Sequence, residues 1–315
     1  MTDVSEPLSM RIDSRRELTA EISEFRLRPV SGESLPSFTP GAHVTVRTPC
    51  DAMRRYSLVN DGTEPDEYVI AVKREPESRG GSRSMHEDAQ EGSTLEVVPP
   101  DNSFPLVEAS RYLLIAGGIG ITPILSMARH LSATGKPFRL IYCTRSEADT
   151  AYLEDVRALG PNARIHHDGG DPDALYDFWD HFAEPGPEHV YCCGPGPLME
   201  EIKAISGHWP EGRIHFEDFK PVEVVRSDDV SFNVTIRNSG QTVEVPADRS
   251  ILEALRESGV QTVSSCESGT CGTCRCRLIA GEPDHRDMVL MQEEQRDNIM
   301  ICVSRAKEGD LVIEL

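Results

Sequence analysis

The 315-residue chain has little tryptophan, no excess of positive charge and no long unbroken apolar run. Two Trp and 6% aromatic residues, beside 38% hydrophobic ones, are ordinary for a soluble globular protein. Lys and Arg number 32 against 53 Asp and Glu, and a net charge of −21 argues against nucleic-acid binding. The acidity is spread evenly. Residues 226–315 hold 10 basic and 16 acidic side chains, −6 over 90 residues, and the other 225 residues hold −15 at the same density, so charge alone marks no docking face. The most apolar stretch, Leu113 to Ala128, is interrupted by three glycines and a proline, which excludes a membrane-spanning helix. Met1-Thr2-Asp3-Val4-Ser5-Glu6 is acidic and polar rather than a signal peptide, so a cytoplasmic location is expected. Internal repeats and long low-complexity segments are lacking. The histidines, His166-His167 included, show no metal-ligand spacing.

What the chain does have is length enough for two or three domains and nine cysteines. Cys266, Cys271 and Cys274 follow the pattern Cys-x4-Cys-x2-Cys, and Cys302 follows after 27 intervening residues. That is plant-type [2Fe–2S] spacing, in which three thiolates from one loop and a fourth from elsewhere hold two irons. A four-cysteine zinc site is the alternative, but zinc ribbons pair two Cys-x2-Cys knuckles, and here there is one. Gly269 and Gly272 suit a loop that curls around a cluster with positive φ. Upstream, Val230 to Ile236 alternates as a strand, Asn238-Ser239-Gly240 turns, and Gln241 to Val245 returns. Ser250-Ile251-Leu252-Glu253 reads as a capping box opening a helix that stops at Gly259. Residues from about 229 onward resemble the plant-type ferredoxins, an α+β β-grasp fold. The resemblance implies Cys266, Cys271, Cys274 and Cys302 as ligands. Cys50, Cys143, Cys192 and Cys276 read as small buried hydrophobes.

The first hundred residues contain short alternating runs: Ile22 to Leu27, His43 to Arg47, Arg55 to Asn60, Tyr68 to Lys73 and Thr94 to Val98. They predict a small antiparallel barrel. In Arg54-Arg55-Tyr56-Ser57-Leu58, alternation sends Arg54, Tyr56 and Leu58 one way and Ser57 the other. An Arg suits a phosphate, a Tyr a flat ring, and a hydroxyl a ring nitrogen. Arg79-Gly80-Gly81-Ser82-Arg83-Ser84 has the makings of an anion nest. A half-buried strand and a flexible turn are the plain readings of these stretches taken singly. Together, Arg-x-Tyr-Ser and Arg-Gly-Gly-Ser resemble the flavin motifs of the ferredoxin–NADP reductase superfamily, in the version found in the phthalate dioxygenase reductase and vanillate demethylase reductase family. The resemblance implies FMN as the flavin. Arg54, Arg79 and Ser82 would bind its phosphate, with Arg55 and Gly81 beside them. Tyr56 would lie against the ring, Ser57 near N5, and Ala71 and Lys73 along the ring or ribityl chain.

Beyond Pro99, Pro100 and Pro105 the pattern changes. Strands at Arg111–Ala116, Arg139–Thr144, Ala163–His167 and Glu188–Cys193 alternate with helices at Ile124–Leu131, Ala151–Leu159 and about Pro197–Ile205, so a parallel sheet is predicted. Gly117-Gly118-Ile119-Gly120-Ile121-Thr122-Pro123 lies between a strand and a helix, where a pyrophosphate sits on helix N–H groups. Cys193-Gly194-Pro195 ends a later strand. This pair resembles the nicotinamide signature of the same superfamily. Gly118, Gly120 and Thr122 would approach the dinucleotide, Thr144 and Arg145 its adenosine end, and Cys193, Gly194 and Pro195 the nicotinamide; for Cys193 a packing-only role stays open. Phe219, in His215-Phe216-Glu217-Asp218-Phe219, would cover the flavin ring. NADH is the expected donor, with NADPH left open by Arg145.

Three domains are therefore expected: an FMN-binding barrel over 1–104, a nicotinamide-binding α/β domain over 105–225 and a ferredoxin domain over 226–315. The resemblance implies a reductase in which Ser57, Thr122 and Cys193 surround the hydride transfer. Its electrons would pass to a terminal oxygenase with a Rieske centre, acting on an aromatic or similar small molecule. A cytochrome P450 acceptor, or a carrier or sensor without steady turnover, are the alternatives.

Overall fold

The computed structural model describes residues 6–76, 80–210, 212–219, 226, 228–264, 269, 272–287 and 289–315. Its contacts divide the chain into two compact units, Met1–Phe219 and Lys220–Leu315. Arg79, Cys266 and Cys271 lie outside the described residues.

The first unit opens with β1 (Leu8–Glu17), β2 (Ile22–Pro29), β3 (His43–Arg47), β4 (Met53–Ser57), β5 (Tyr68–Lys73), α1 (Gly81–Glu87) and β6 (Thr94–Asp101). The strands pair antiparallel in the order β4-β3-β6-β1-β2-β5, and a bridge from Leu58 to Ile70 joins the two ends into a barrel. Inward positions Met10, Ile12, Phe25, Leu27, Val44, Val46, Ile70, Val72, Leu95 and Val97 fill it. Sequence patterning did not single out β1, although it is a central strand. Leu8, Met10 and Ile12 alternate, but the pattern is lost from Ser14 on, after a bulge between Ile12 and Ser14, where Arg15 and Arg16 follow; the charge of Arg11 and Arg16 is met by Asp13 and Glu24. The prolines expected to end the last barrel strand instead lie within β6. Its register against β3 slips by one residue between Val98 and Asp101, and this bulge takes the missing N–H groups out of the ladder. The Gly-Gly-Ser stretch likewise continues as α1 rather than remaining a loop.

The unit continues with β7 (Tyr112–Gly117), α2 (Ile121–Ala133), β8 (Phe138–Thr144), α3 (Leu153–Arg157), β9 (Ala163–His167), α4 (Trp179–Phe182), β10 (His189–Cys193), α5 (Gly196–Ile205) and β11 (Ile214–Glu217). The five strands form a parallel sheet, β11-β10-β7-β8-β9. Strand order reverses between β7 and β10, the crevice where such sheets bind ligands. α2 begins three residues before the expected Ile124, because Gly118–Gly120 makes a 3₁₀ turn that leads into it. Pro123 falls in the helix's first turn, where no N–H partner is lost. Barrel and sheet share one core. Ile22, Val59, Val69 and Ala71 of the barrel pack in the same cluster as Ile121, Ile124, Leu125 and Ala128 of α2.

The second unit holds β12 (Phe232–Ile236), β13 (Thr242–Val245), α6 (Ile251–Glu257), β14 (Arg275–Asp284), β15 (Asn298–Met300) and β16 (Arg305–Glu314), ordered β13-β12-β16-β14-β15. β12 and β16 run parallel and the other pairs antiparallel, with α6 buried on the sheet, a β-grasp arrangement. The capping box is present: Glu253 N donates to Ser250 Oγ at 3.1 Å and Ser250 N to Glu253 Oε2 at 2.9 Å. Two arginines are buried here. Arg305, 1% exposed, donates to the carbonyls of Arg249, Val230 and Pro246. Arg286 and Arg305 both pair with Asp229.

Candidate cofactor sites

The switch point is built almost entirely of backbone. A Cβ on Gly120 would stand 2.2 Å from Cys193 O, and one on Gly117 would stand 2.5 Å from Pro195 Cδ. A Cβ on Gly194 would meet Gly117 N at 3.0 Å. Only glycines let the turn after β7 and the turn after β10 touch in this way. Gly118, at φ +52, has open space where a Cβ would point. The structure thus brings Gly118, Gly120 and Thr122 together with Cys193, Gly194 and Pro195. Thr122 is buried and its Oγ1 donates to Ile119 O at 3.1 Å, which tightens the turn. Cys193 is fully buried, and burial, with Glu217 nearby, holds its thiol well above the usual range, which favours its neutral form. Thr144, at the end of β8, shares a 2.7 Å hydrogen bond with Thr150. Arg145 is exposed, and its guanidinium makes no hydrogen bond or ion pair among the described residues.

On β4 the two faces diverge as alternation requires. Arg54 lies along Gly81, where a Cβ would be 2.8 Å from its Nε, so the second glycine of the pair admits the arginine. Gly80, at φ +95, precedes it in a conformation that favours glycine. Ser82 Oγ accepts from Glu75 N at 3.1 Å. Tyr56 Oη is buried without a hydrogen-bond partner among the described residues, and burial pushes the phenol upward. On the other face, Ser57 is buried opposite His43. Arg55 donates to His43 Nδ1 at 3.0 Å and to Ser103 Oγ at 2.7 Å. Ala71 is buried in the core shared with Cys193, while Lys73 pairs with Glu75 at 2.9 Å. Phe219, exposed, closes the first unit.

Sequence reading passed over Glu217. In β11 it stands in register with Cys193, and its Oε2 is buried without a hydrogen-bond partner among the described residues. Burial raises its carboxyl to about 7, opposed by Arg55. Arg55 of the flavin motif therefore acts electrostatically on a group beside the nicotinamide turn. The available signal was position, at the carboxyl end of a parallel strand.

In the second unit, Cys274 and Cys302 are both buried in one core, and Ile301 N donates to Cys274 O at 3.4 Å, which places the two on neighbouring backbone. Gly269 and Gly272 have φ +74 and +82, as expected of a curling loop. A Cβ at Gly269 would fall 2.8 Å from Val303 Cγ2.

These features fit the groups they would hold. An orphaned buried hydroxyl and a glycine-cradled arginine suit a phosphate-bearing ring, the open turn at the switch point suits a dinucleotide, and the cysteine spacing suits a cluster. A flavin-type barrel, a nucleotide-binding sheet with its glycine turns and a cysteine-bearing β-grasp unit define a pyridine-nucleotide iron–sulfur oxidoreductase. The family model for the oxidoreductase NAD-binding domain matches residues 114–167, and that for the 2Fe–2S iron–sulfur cluster binding domain matches 234–307. A phthalate 4,5-dioxygenase oxygenase reductase subunit from Pseudomonas putida is 49% identical over 311 residues, 97% of this chain and 96% of its own. The solved phthalate dioxygenase reductase, described as a modular structure for electron transfer from pyridine nucleotides to [2Fe–2S], superposes with a TM-score of 0.84 at 47% identity, covering 98% of each chain. An intact type IV self-sufficient cytochrome P450 monooxygenase superposes at 0.76 and 35% identity, over 98% of this chain and 41% of its own. The chain belongs to the phthalate dioxygenase reductase family.

Proposed function

We propose that the protein passes electrons from NADH through FMN to a [2Fe–2S] cluster and on to the Rieske centre of a terminal oxygenase acting on an aromatic or similar small substrate. The flavin would sit on 1–104, the nucleotide on 105–225 and the cluster on 226–315. The carrying observation is the shared core of the first unit, which contains both Ala71 from the flavin strand and Cys193 from the nicotinamide turn. When bound, the flavin supplies the conversion between a two-electron hydride donor and a one-electron acceptor. The chain's own residues then bind, orient and exclude water. Arg54, seated on Gly81, would neutralise phosphate charge, with Arg79 and Ser82 from the adjoining loop. Tyr56 would direct its unpartnered hydroxyl to the cofactor, and Ser57 would offer its hydroxyl from the buried face. Gly118, Gly120 and Thr122 would receive the dinucleotide, with Thr144 and Arg145 at its adenosine end. Cys193, Gly194 and Pro195 would shape the wall behind the nicotinamide, and Phe219 would cover the ring. Cys266, Cys271, Cys274 and Cys302 would ligate the cluster as thiolates, which fits a reducing cytoplasm. Among the described residues no helix is long and apolar enough to cross a membrane.

Anaerobic titration with NADH, followed in the visible spectrum, tests the route. Flavin and iron–sulfur bands should both bleach, and a flavin that bleaches alone would sink it. The similarity to a self-sufficient P450 favours one second reading, a P450 acceptor. Reconstitution with a Rieske oxygenase and with a P450 separates the two by which one turns over.

A further inference from the structure

α2 is a lever between the two halves of the first unit. Its opening turn follows Gly118 and Gly120 and contains Thr122, and seven residues further on, about 10 Å along the axis, it presents Arg129. The guanidinium has three engagements. Nη1 donates to Val59 O at 2.8 Å, Nη2 pairs with Asp155 Oδ1, and the group lies 6.0 Å from the centroid of the Tyr152 ring. Val59 belongs to the barrel, two residues beyond Ser57 of the flavin motif, and its own N–H donates to Val69 O. Asp155 and Tyr152 belong to the start of α3.

Tyr152 shows that this seat is over-determined. It has φ +56, a left-handed region in which a bulky side chain is strained. It is nonetheless 4% exposed, packed in the core common to barrel and sheet. Its hydroxyl is buried without a hydrogen-bond partner among the described residues, near the Glu24 carboxylate of β2 that is already paired with Arg16 and Arg26. A strained residue packed in the shared core under an α2 arginine is a rigid stop, and the helix that leans on it carries the nicotinamide turn.

We propose that Arg129 is a positioning residue for nicotinamide-to-flavin hydride transfer: through Val59 O, Asp155 and the Tyr152 ring it sets the angle of α2, and so the register of the nicotinamide turn on the flavin strand. The inference rests on the electron route proposed above. An error near 1 Å at the reacting atoms can cost on the order of a hundredfold in rate, and a tilt of α2 about the shared core is such an error.

The test is stopped-flow reduction of the flavin by NADH in the full-length holoprotein, comparing R129A, R129K and D155N with wild type. Amide hydrogen exchange at residues 118–124 supplies a readout independent of turnover. R129A should lower the limiting rate by about 10- to 100-fold, leave the NADH dissociation constant within about threefold, and speed exchange at 118–124 by about tenfold. R129K should recover part of the rate, since an ammonium can still reach one carbonyl. Wild-type limiting rates and exchange in R129A would overturn the proposal. So would weaker NADH binding at an unchanged limiting rate, which would make Arg129 a ligand contact. If R129A does not fold, R129K and D155N decide on the same readouts, and wild-type behaviour in both overturns it. A wild-type protein whose flavin takes no electrons from NADH would instead remove the electron route, and this role with it.

Discussion

The nicotinamide corner and the N-terminal edge of the cluster unit solve a similar problem with different materials. Each must hold a chain segment in one place. At the corner, two turns are locked because glycine lets backbone meet backbone, and the tolerances are steric. In the cluster unit, Asp229 sits between two buried guanidiniums, Arg286 and Arg305, and the tolerances are electrostatic. The lesson is that the corner's glycine contacts should be insensitive to pH and intolerant of a methyl group, while the cluster unit's edge should tolerate shape changes better than loss of one charge.

The largest expected effect is on the charge side. Asp229→Ala removes the one carboxylate shared by both buried guanidiniums, leaving Arg286 with Asp284 and Arg305 with carbonyl partners, and should cost on the order of 3 kcal/mol, read as loss of the cluster's visible absorbance and of the second unit's unfolding transition. The Asp229 carboxyl is held down to about 2, chiefly by its hydrogen bonds to Arg286. A depressed carboxylate stabilises the fold above its ordinary range and loses that contribution as pH falls, here from about 4 through about 2. Acid unfolding of the second unit should therefore steepen in that window. An Asp229→Ala protein with wild-type unfolding would erase the contrast.

Next comes the steric side. Gly120→Ala places a methyl against the Cys193 carbonyl with backbone on both sides, an overpacking cost of about 1–3 kcal/mol or more. NADH-driven dye reduction should fall steeply at every pH. Gly118→Ala meets only open space and should cost about 1–2 kcal/mol from its left-handed backbone alone. Equal losses of thermal stability in the two variants would show that close approach is not what Gly120 provides.

The smallest effect sharpens the comparison where the corner contains its one perturbed carboxyl. Burial raises Glu217 to about 7. The folded state then holds a proton the unfolded state has released, so stability falls as pH rises from the ordinary carboxylate range through about 7. Glu217→Gln should raise the thermal midpoint by on the order of 2–4 °C at pH 8 and leave it unchanged at pH 4. A gain of the same size at both pH values would count against a titrating Glu217.

Much of the architecture could be read directly because its signals are local. Alternation located β3, β5 and β9 to the residue, the Ser250–Glu253 capping box located α6, and positive φ at Gly269 and Gly272 followed from what a curling loop requires. β1 escaped because its alternation stops after Ile12 at a bulge visible only in the pairing with β2, where Arg15 and Arg16 follow. The prolines of β6 misled because a bulge, visible only in the pairing with β3, absorbs them. Gly81 was named as a cofactor contact, but its fit against Arg54 requires both segments in place.

The sequence by itself determined the kinds of segment and the chemistry each carries: cysteines at cluster spacing, glycines after strands, an arginine two positions before a tyrosine on a strand. Such patterns follow from the periods of helix and strand and from conformations that only certain residues adopt, and both are properties of neighbours along the chain. Tertiary structure alone decided that Glu217 lies buried beside Cys193, that Asp229 stands between two guanidiniums and that Arg129 reaches a barrel carbonyl. The strength of a charge depends on how much water surrounds it and what lies opposite, and for these residues both are supplied by segments tens of positions away.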